Sequence, residues 1–217
     1  AGCVHPRDFL LRLAARLPAE AIVTLDTGVH TLWAAQYLRL TRRQRVLVSS
    51  RLGFMGFSLP AAIAAALASP ASPVVAICGD GGFQMVASEL GTAVQLGLPL
   101  TVVVFDNGVL QNVLVQQARP YGTALANPDF VALARAWGAE GLVADAAADL
   151  DAIVDAALAP RQIPLVIDLR VDPALSFPMS RWERYAPAPL HPVRSLRVPD
   201  IPADASNPAR VMHPTHV

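Results

Sequence analysis

Gly79-Asp80-Gly81-Gly82 follows an apolar run and precedes a stretch with helical spacing. Small residues let the backbone turn sharply and come close to a ligand. The free N–H groups at the start of a helix favour an anion such as phosphate. Asp80 adds a carboxylate in the same place. A carboxylate and a phosphate repel each other unless a cation lies between them. Mg²⁺ suits that role, because it takes oxygen ligands and is commonly held by one or two protein groups plus phosphate oxygens. Asn107 stands 27 positions beyond Asp80 and offers an amide oxygen as another hard ligand. Taken alone, 79–82 reads equally well as a tight strand-to-helix turn, and Asn107-Gly108 as a plain turn. Their meaning depends on what positions them.

Apolar runs at 21–25, 46–48, 74–78, 100–105 and 165–169 predict strands. Between them, helical spacing predicts helices over 6–17, 29–38, 61–68, 84–96, 128–137 and 150–158. Ser58 is expected to cap the third of these helices, with Pro60 in its first turn, and Asn127 the fifth. Continuous apolar strands alternating with helices predict an α/β fold, a doubly wound, mostly parallel sheet with helices on both faces. Such sheets bind ligands beyond the carboxyl ends of their strands. Four strand ends, at 26–28, 49–53, 79–82 and 106–108, carry Gly, Asp, Asn or Ser and are expected to converge on one site. Neighbouring parallel strands would set Asn107 beside Asp80. Residues 1–172 are read as this domain and 173–217 as a Pro-rich extended tail.

Composition narrows the chemistry. The chain has 217 residues, 53% hydrophobic and 16% charged, with a formal net charge of zero. No basic stripe with interleaved aromatics occurs, so no nucleic-acid partner is expected. All 17 basic residues are arginine; the absence of lysine excludes a P-loop lysine and a Schiff-base lysine. Cys3 and Cys78 are too few for a disulfide framework or a zinc site. The Ala-rich stretch at 61–68 is far shorter than the roughly 20 residues that span a bilayer. A cytoplasmic protein without membrane contact is the expectation.

Gly79-Asp80-Gly81, 25 intervening residues and then Asn107 resembles the signature of thiamine-diphosphate enzymes. The flanking sequence is similar as well. Arg51-Leu52-Gly53-Phe54-Met55-Gly56-Phe57-Ser58-Leu59-Pro60 resembles the stretch before the motif in the acetolactate synthase and 2-oxo-acid decarboxylase superfamily. Phe83-Gln84-Met85 and Asn127-Pro128-Asp129-Phe130-Val131 are similar to it too. The resemblance extends over about 4–172 and implies the C-terminal cofactor domain of that superfamily. It implies thiamine diphosphate and Mg²⁺ as cofactors, with Asp80, Asn107 and the Val109 carbonyl on the metal. Gly79 belongs to the same turn, Gly81 and Gly82 would donate backbone N–H groups to the diphosphate, and Gly28 and His30 would approach it. The Gly53 carbonyl and the Met55 N–H would bond the aminopyrimidine, with the Met55 side chain wedged beneath the cofactor. That wedge enforces a bend that sets the cofactor's own nitrogen beside its thiazolium C2 proton. The cofactor then accepts the electrons released when a 2-oxo acid loses CO₂. On the residues alone, Met55 is a core methionine and His30 a surface or satisfied histidine.

Several positions depart from the family pattern. Gly28-Val29-His30 stands for the common Gly-Gln-His, Asp106-Asn107 for two asparagines, and Gly82 for a serine. Residues 109–118 match acetolactate synthase poorly, and Gln111 and Asn112 are candidate substrate contacts there. The family's activating glutamate comes from a separate pyrimidine-binding domain, and none of Glu20, Glu89, Glu140 or Glu183 resembles it. The resemblance therefore implies a pyrimidine-binding domain or subunit as partner, and a homo- or hetero-oligomer. A subunit of a split decarboxylase of the sulfopyruvate or phosphonopyruvate type is the alternative enzyme. A non-catalytic diphosphate-binding module is the alternative of another class.

Overall fold

The runs at 22–25, 74–79, 100–106 and 165–170 carry apolar residues at successive positions, so both of their faces seek cover. In the computed structural model, which describes residues 2–146, 148–175 and 177, these four runs form the middle of a six-stranded parallel sheet. The strands are β1 (Ile22–Leu25), β2 (Arg45–Val48), β3 (Val74–Gly79), β4 (Leu100–Asp106), β5 (Glu140–Ala144) and β6 (Leu165–Arg170). Their order is β2-β1-β3-β4-β6-β5, and every pair is parallel. The helices are α1 (Pro6–Arg16), α2 (Val29–Tyr37), α3 (Ser58–Ala68), α4 (Asp80–Val86), α5 (Glu89–Gln95), α6 (Gln111–Leu114), α7 (Phe130–Ala136) and α8 (Leu150–Leu158).

Side chains alternate across a strand, and the two cores follow that alternation. Val75, Ile77 and Val103 face one way and pack with Phe9 and Leu13 of α1, Trp33 of α2 and Val154 of α8. Ala76, Cys78, Val102 and Val104 face the other way and pack with Leu59 of α3, Phe83 of α4, Leu90 of α5 and Phe130 of α7. This is the doubly wound arrangement. Beyond β1 the chain runs outward to β2 and returns on the other side as β3. The strand order thus reverses at β1 and β3, which opens a crevice at their carboxyl ends. The register pairs Leu25 with Ile77 and Gly79 with Phe105. Asp26, Asp80 and Asn107 therefore leave the sheet at the same edge.

Local expectations differ from the structure at five places. Ser58 is the first residue of α3, and its hydroxyl is buried against Thr24 instead of capping. Asn127 does not cap α7; Asp129 does, accepting from Ala132 N at 2.8 Å, while Asn127 turns toward the carboxylates of Asp80 and Asp106. The helix expected over 84–96 begins earlier, at Asp80, and is divided into α4 and α5, with Leu90 and Gly91 bonding back three residues to Ala87 and Ser88. Two elements were not expected from the pattern. The edge strand β5 alternates exposed Glu140 and Val143 with buried Gly141 and Ala144, and α6 has one turn. All four residues of β2 are exposed, because it is the other edge strand.

Packing continues past residue 172. Ala174 N donates to Asp172 Oδ1 at 2.8 Å, and the Phe177 ring meets Trp33 edge-on at 5.3 Å. The remainder of the Pro-rich stretch expected at 173–217, residue 176 and 178–217, lies outside the described residues. Among the described residues no helix is long and apolar enough to cross a membrane.

Candidate cofactor site

The carboxyl ends of β1, β3 and β4 border a cleft of about 110 Å³. Thr27 to His30, Gly79 to Gly82, Met55, Asn107 and Val109 line it, together with Leu110 to Val113 from the segment around α6. The strand end at 49–53, and with it Gly53, does not reach the lining. Gly53 takes φ +64°, a left-handed conformation that suits glycine, and bonds back to Ser49 O at 3.0 Å. Met55, two residues on, is what that loop contributes: its Cε lies 3.3 Å from where a Cβ on Gly81 would sit.

Asp80 is buried, and each of its oxygens is held by the backbone. Oδ1 accepts from Gly81 N at 2.8 Å. Oδ2 accepts from Gly108 N at 2.7 Å, Asn107 N at 3.2 Å and Asn127 Nδ2 at 2.8 Å. Burial, with the nearby Asp106 charge adding to it, raises the Asp80 carboxyl above its ordinary range, and the hydrogen bonds from Asn127, Gly81 and Gly108 oppose the rise. Asn127 spans two strand ends, since its Nδ2 also donates to Asp106 Oδ1 at 2.5 Å. Arg170 closes the row behind them, 2.8 Å from Asp106 and 2.6 Å from Asp168. Asn107 Oδ1 accepts from Val109 N at 3.1 Å, and the Val109 carbonyl accepts from Gln111 N at 2.9 Å.

This donor set can hold a hard divalent cation. It offers one carboxylate whose Oδ1 has a single protein donor, one carboxamide oxygen and one backbone carbonyl. Among the described residues no group of three His, Cys, Asp or Glu is gathered for a metal. A cation here must complete its shell from the oxygens of a bound ligand or water, which is how Mg²⁺ is usually held beside phosphates. The protein's own packing requires Gly81 and Gly82 at this edge. A Cβ on Gly81 would lie 2.8 Å from Leu110 Cδ2, and one on Gly82 would lie 2.3 Å from Asp26 Oδ2.

His30 occupies the floor. A Cβ on Gly28 would lie 2.6 Å from its Cε1, and one on Gly79 would lie 2.8 Å from its Nδ1, so both glycines make room for the imidazole. Phe105 packs beside it, centroid to centroid at 6.1 Å. Burial pushes the ring down to about 4, with a hydrogen bond to the Asp26 backbone opposing, so it is neutral at neutral pH. Its Nε2 is buried without a partner among the described residues. Gly28, His30, Met55, Gly79, Asp80, Gly81, Gly82, Asn107 and Val109 thus meet in one cleft, and Gly53 stands one step outside it.

Three side chains position the site in ways that the sequence pattern does not show. Asp26 stands at one of the strand ends expected there; its buried carboxylate accepts from Thr27 N at 2.8 Å, Gly56 N at 3.0 Å and Phe57 N at 3.2 Å, and so fastens the Met55 loop to β1. Burial raises the Asp26 carboxyl, and those three donors oppose the rise. Asn127, expected as a cap, fixes Asp80 instead. Gln111, a candidate substrate contact, borders the cleft and also bonds Asn107 and the carbonyls of Pro173 and Leu175. A signal for Asp26 was present in its place at a strand end, two residues before Gly28.

Residues 26–169 match the family model described as thiamine pyrophosphate enzyme, C-terminal TPP binding domain. The chain is 43% identical over 149 residues to the acetolactate synthase isozyme 2 large subunit of Escherichia coli (strain K12), covering 63% of this chain and 27% of that protein. It is 40% identical over 148 residues to the acetolactate synthase large subunit of Parasynechococcus marenigrum, covering 65% of this chain and 24% of that protein. It is 37% identical over 180 residues to the acetolactate synthase of Mycobacterium bovis, covering 78% of this chain and 29% of that protein. The matched part is thus less than a third of each relative's length.

Proposed function

The chain belongs to the thiamine pyrophosphate enzymes through their C-terminal TPP-binding domain, and from that premise we propose that its cleft holds thiamine diphosphate by way of Mg²⁺ in a cytoplasmic 2-oxo-acid carboligase of the acetolactate synthase type. Asp80, Asn107 and the Val109 carbonyl hold the metal. The backbones of Gly81 and Gly82 meet the diphosphate, and Gly28 and His30 border it. Met55, whose Cε lies beside Gly81 in the lining, would bear on the cofactor, with Gly53 two residues before it in the loop. When bound, the cofactor supplies an electron sink for the carbanion left by decarboxylation.

The protein's own part is to position and to exclude water. Asp26 fixes the Met55 loop, Asn127 fixes Asp80, and the glycines let the backbone approach. The observation that carries the reading is the Asp80 carboxylate, held with one lightly used oxygen beside Asn107 at the mouth of a glycine-lined crevice. The size of the cleft supports a shared site. At about 110 Å³ it falls below the roughly 300–1,000 Å³ of a complete small-molecule pocket, so these residues enclose part of the cofactor and a pyrimidine-binding domain or subunit encloses the rest. Sharing of that kind requires an oligomer or a second domain.

Titration of the chain with thiamine diphosphate, with and without Mg²⁺, tests the proposal. Binding is expected to depend on the metal and to be lost in Asp80→Ala. Metal-independent binding, or no binding even with a pyrimidine domain supplied, would overturn it.

A further inference from the structure

Gln111 opens α6, within the segment that departs from the family pattern, and its carboxamide is bonded at both ends. Nε2 donates to the backbone carbonyls of Pro173 at 3.1 Å and Leu175 at 2.9 Å, and Oε1 accepts from Asn107 Nδ2 at 3.1 Å. Asn107 Oδ1 accepts in turn from the Val109 N–H at 3.1 Å. Backbone carbonyls can only accept and backbone N–H groups can only donate. The two ends of this chain of bonds therefore impose one direction on both amides. Reversing Gln111 would set its oxygen against two carbonyls and its nitrogen against Asn107 Nδ2. Reversing Asn107 as well would set its nitrogen against the Val109 N–H.

We propose that Gln111 is a positioning residue: it takes its direction from the Pro173 and Leu175 carbonyls and holds the Asn107 carboxamide with the oxygen, not the nitrogen, on the Val109 side where a divalent cation would use it. The metal half of this proposal rests on the Mg²⁺–thiamine diphosphate reading; the amide direction does not. A carboxamide turned nitrogen-first offers a cation two N–H dipoles and no lone pair. Outer partners that orient metal ligands typically govern about 10–100-fold in metal affinity. The stretch after β6 thereby becomes part of the cation site, because its first carbonyls set the direction of the relay.

Mn²⁺ binding to the full 217-residue chain with thiamine diphosphate present, read by electron paramagnetic resonance, tests the metal half. Gln111→Ala is expected to weaken Mn²⁺ by about tenfold or more. In an Asn107→Asp background both terminal atoms are oxygen and direction has no meaning, while Gln111 Oε1 faces an acceptor instead of a donor, so Gln111→Ala is not expected to weaken Mn²⁺ there. Equal weakening in both backgrounds, or none in the native one, overturns the proposal. A metal-free arm reads hydrogen exchange of the Asn107 side-chain amide by NMR. Gln111→Ala is expected to speed it while the backbone amides of β3 and β4 keep their protection, and an unchanged Asn107 rate overturns the proposal. A native chain that binds no Mn²⁺ with the cofactor overturns the metal half together with the reading beneath it. The exchange arm separates that failure from a failure of Gln111.

Discussion

A neutral imidazole at position 30 follows from burying it beneath two glycines, and the pH dependence of stability should report it. The ring titrates at about 4 in the fold against 6.5 in the open chain. Between those values the unfolded chain takes up the proton and the folded chain does not. The stabilisation from the neutral ring is therefore complete above 6.5 and is lost as pH falls toward 4. The full loss amounts to about 3 kcal/mol. Urea unfolding across that window should show native stability falling toward the acid side by that amount relative to His30→Asn, which carries no titrating ring. Parallel profiles for the two proteins would refute the assignment. Asp26 and Asp80, whose folded values are raised, act with the opposite sign, and the difference between the proteins removes their contribution.

Elements are joined to the site by buried polar contacts that local rules assign elsewhere. Ser58 Oγ donates to the Thr24 carbonyl at 3.0 Å, and Thr24 Oγ1 donates to the Ser58 carbonyl at 2.9 Å, with the hydroxyls 2.8 Å apart. These bonds clamp the start of α3 to β1, just after the loop that carries Met55. Ser58→Ala should cost about 1–3 kcal/mol, because the buried Thr24 carbonyl loses the Ser58 hydroxyl as a donor. Thr24→Val should cost a similar amount, because the Ser58 carbonyl loses the Thr24 hydroxyl. The two substitutions remove different donor–carbonyl bonds, so the double variant should cost close to the sum, short only by the contact between the hydroxyls. Denaturant midpoints decide it; a surface-like cost below about 0.5 kcal/mol for either single variant would contradict the clamp. The same contrast explains what could be read in advance. β1, β3, β4 and β6 were legible because burial on both faces writes itself as continuous apolar sequence. Asp80 and Asn107 were legible as neighbours because adjacent parallel strands end together. Ser58 and Asn127 look like caps by their local sequence, yet each serves a partner distant in the chain, at Thr24 or at Asp80 and Asp106. Gln111 is legible only in part, because Asn107 lies four positions away but its other partners, Pro173 and Leu175, are 62 and 64 positions away.

At the scale of the whole molecule, the described residues provide the site with a cradle and place no glutamate in its lining. The family resemblance places the activating carboxylate on a pyrimidine-binding domain, and the described glutamates are otherwise engaged. Glu20 pairs with Arg43, Glu140 pairs with Arg161, and Glu89 opens α5; none of them lines the cleft, and Glu183 lies outside the described residues. The loop that bears Met55 also leaves Leu52 82% and Phe54 48% exposed, apolar surface of the kind that a second domain covers. The 217 residues are accordingly expected to bind thiamine diphosphate with Mg²⁺ and yet release CO₂ from a 2-oxo acid at background rate. Adding a pyrimidine-binding domain from a related enzyme should raise that release. Changing that domain's activating glutamate to glutamine should remove the gain, by about 10²–10⁴-fold for a general acid–base group. The comparison needs a matched cofactor-binding measurement, so that a domain that fails to dock is told apart from one that docks without activating. Substantial turnover by the 217 residues without any added domain would show that the activating group is already among them, and would move the search to Glu183.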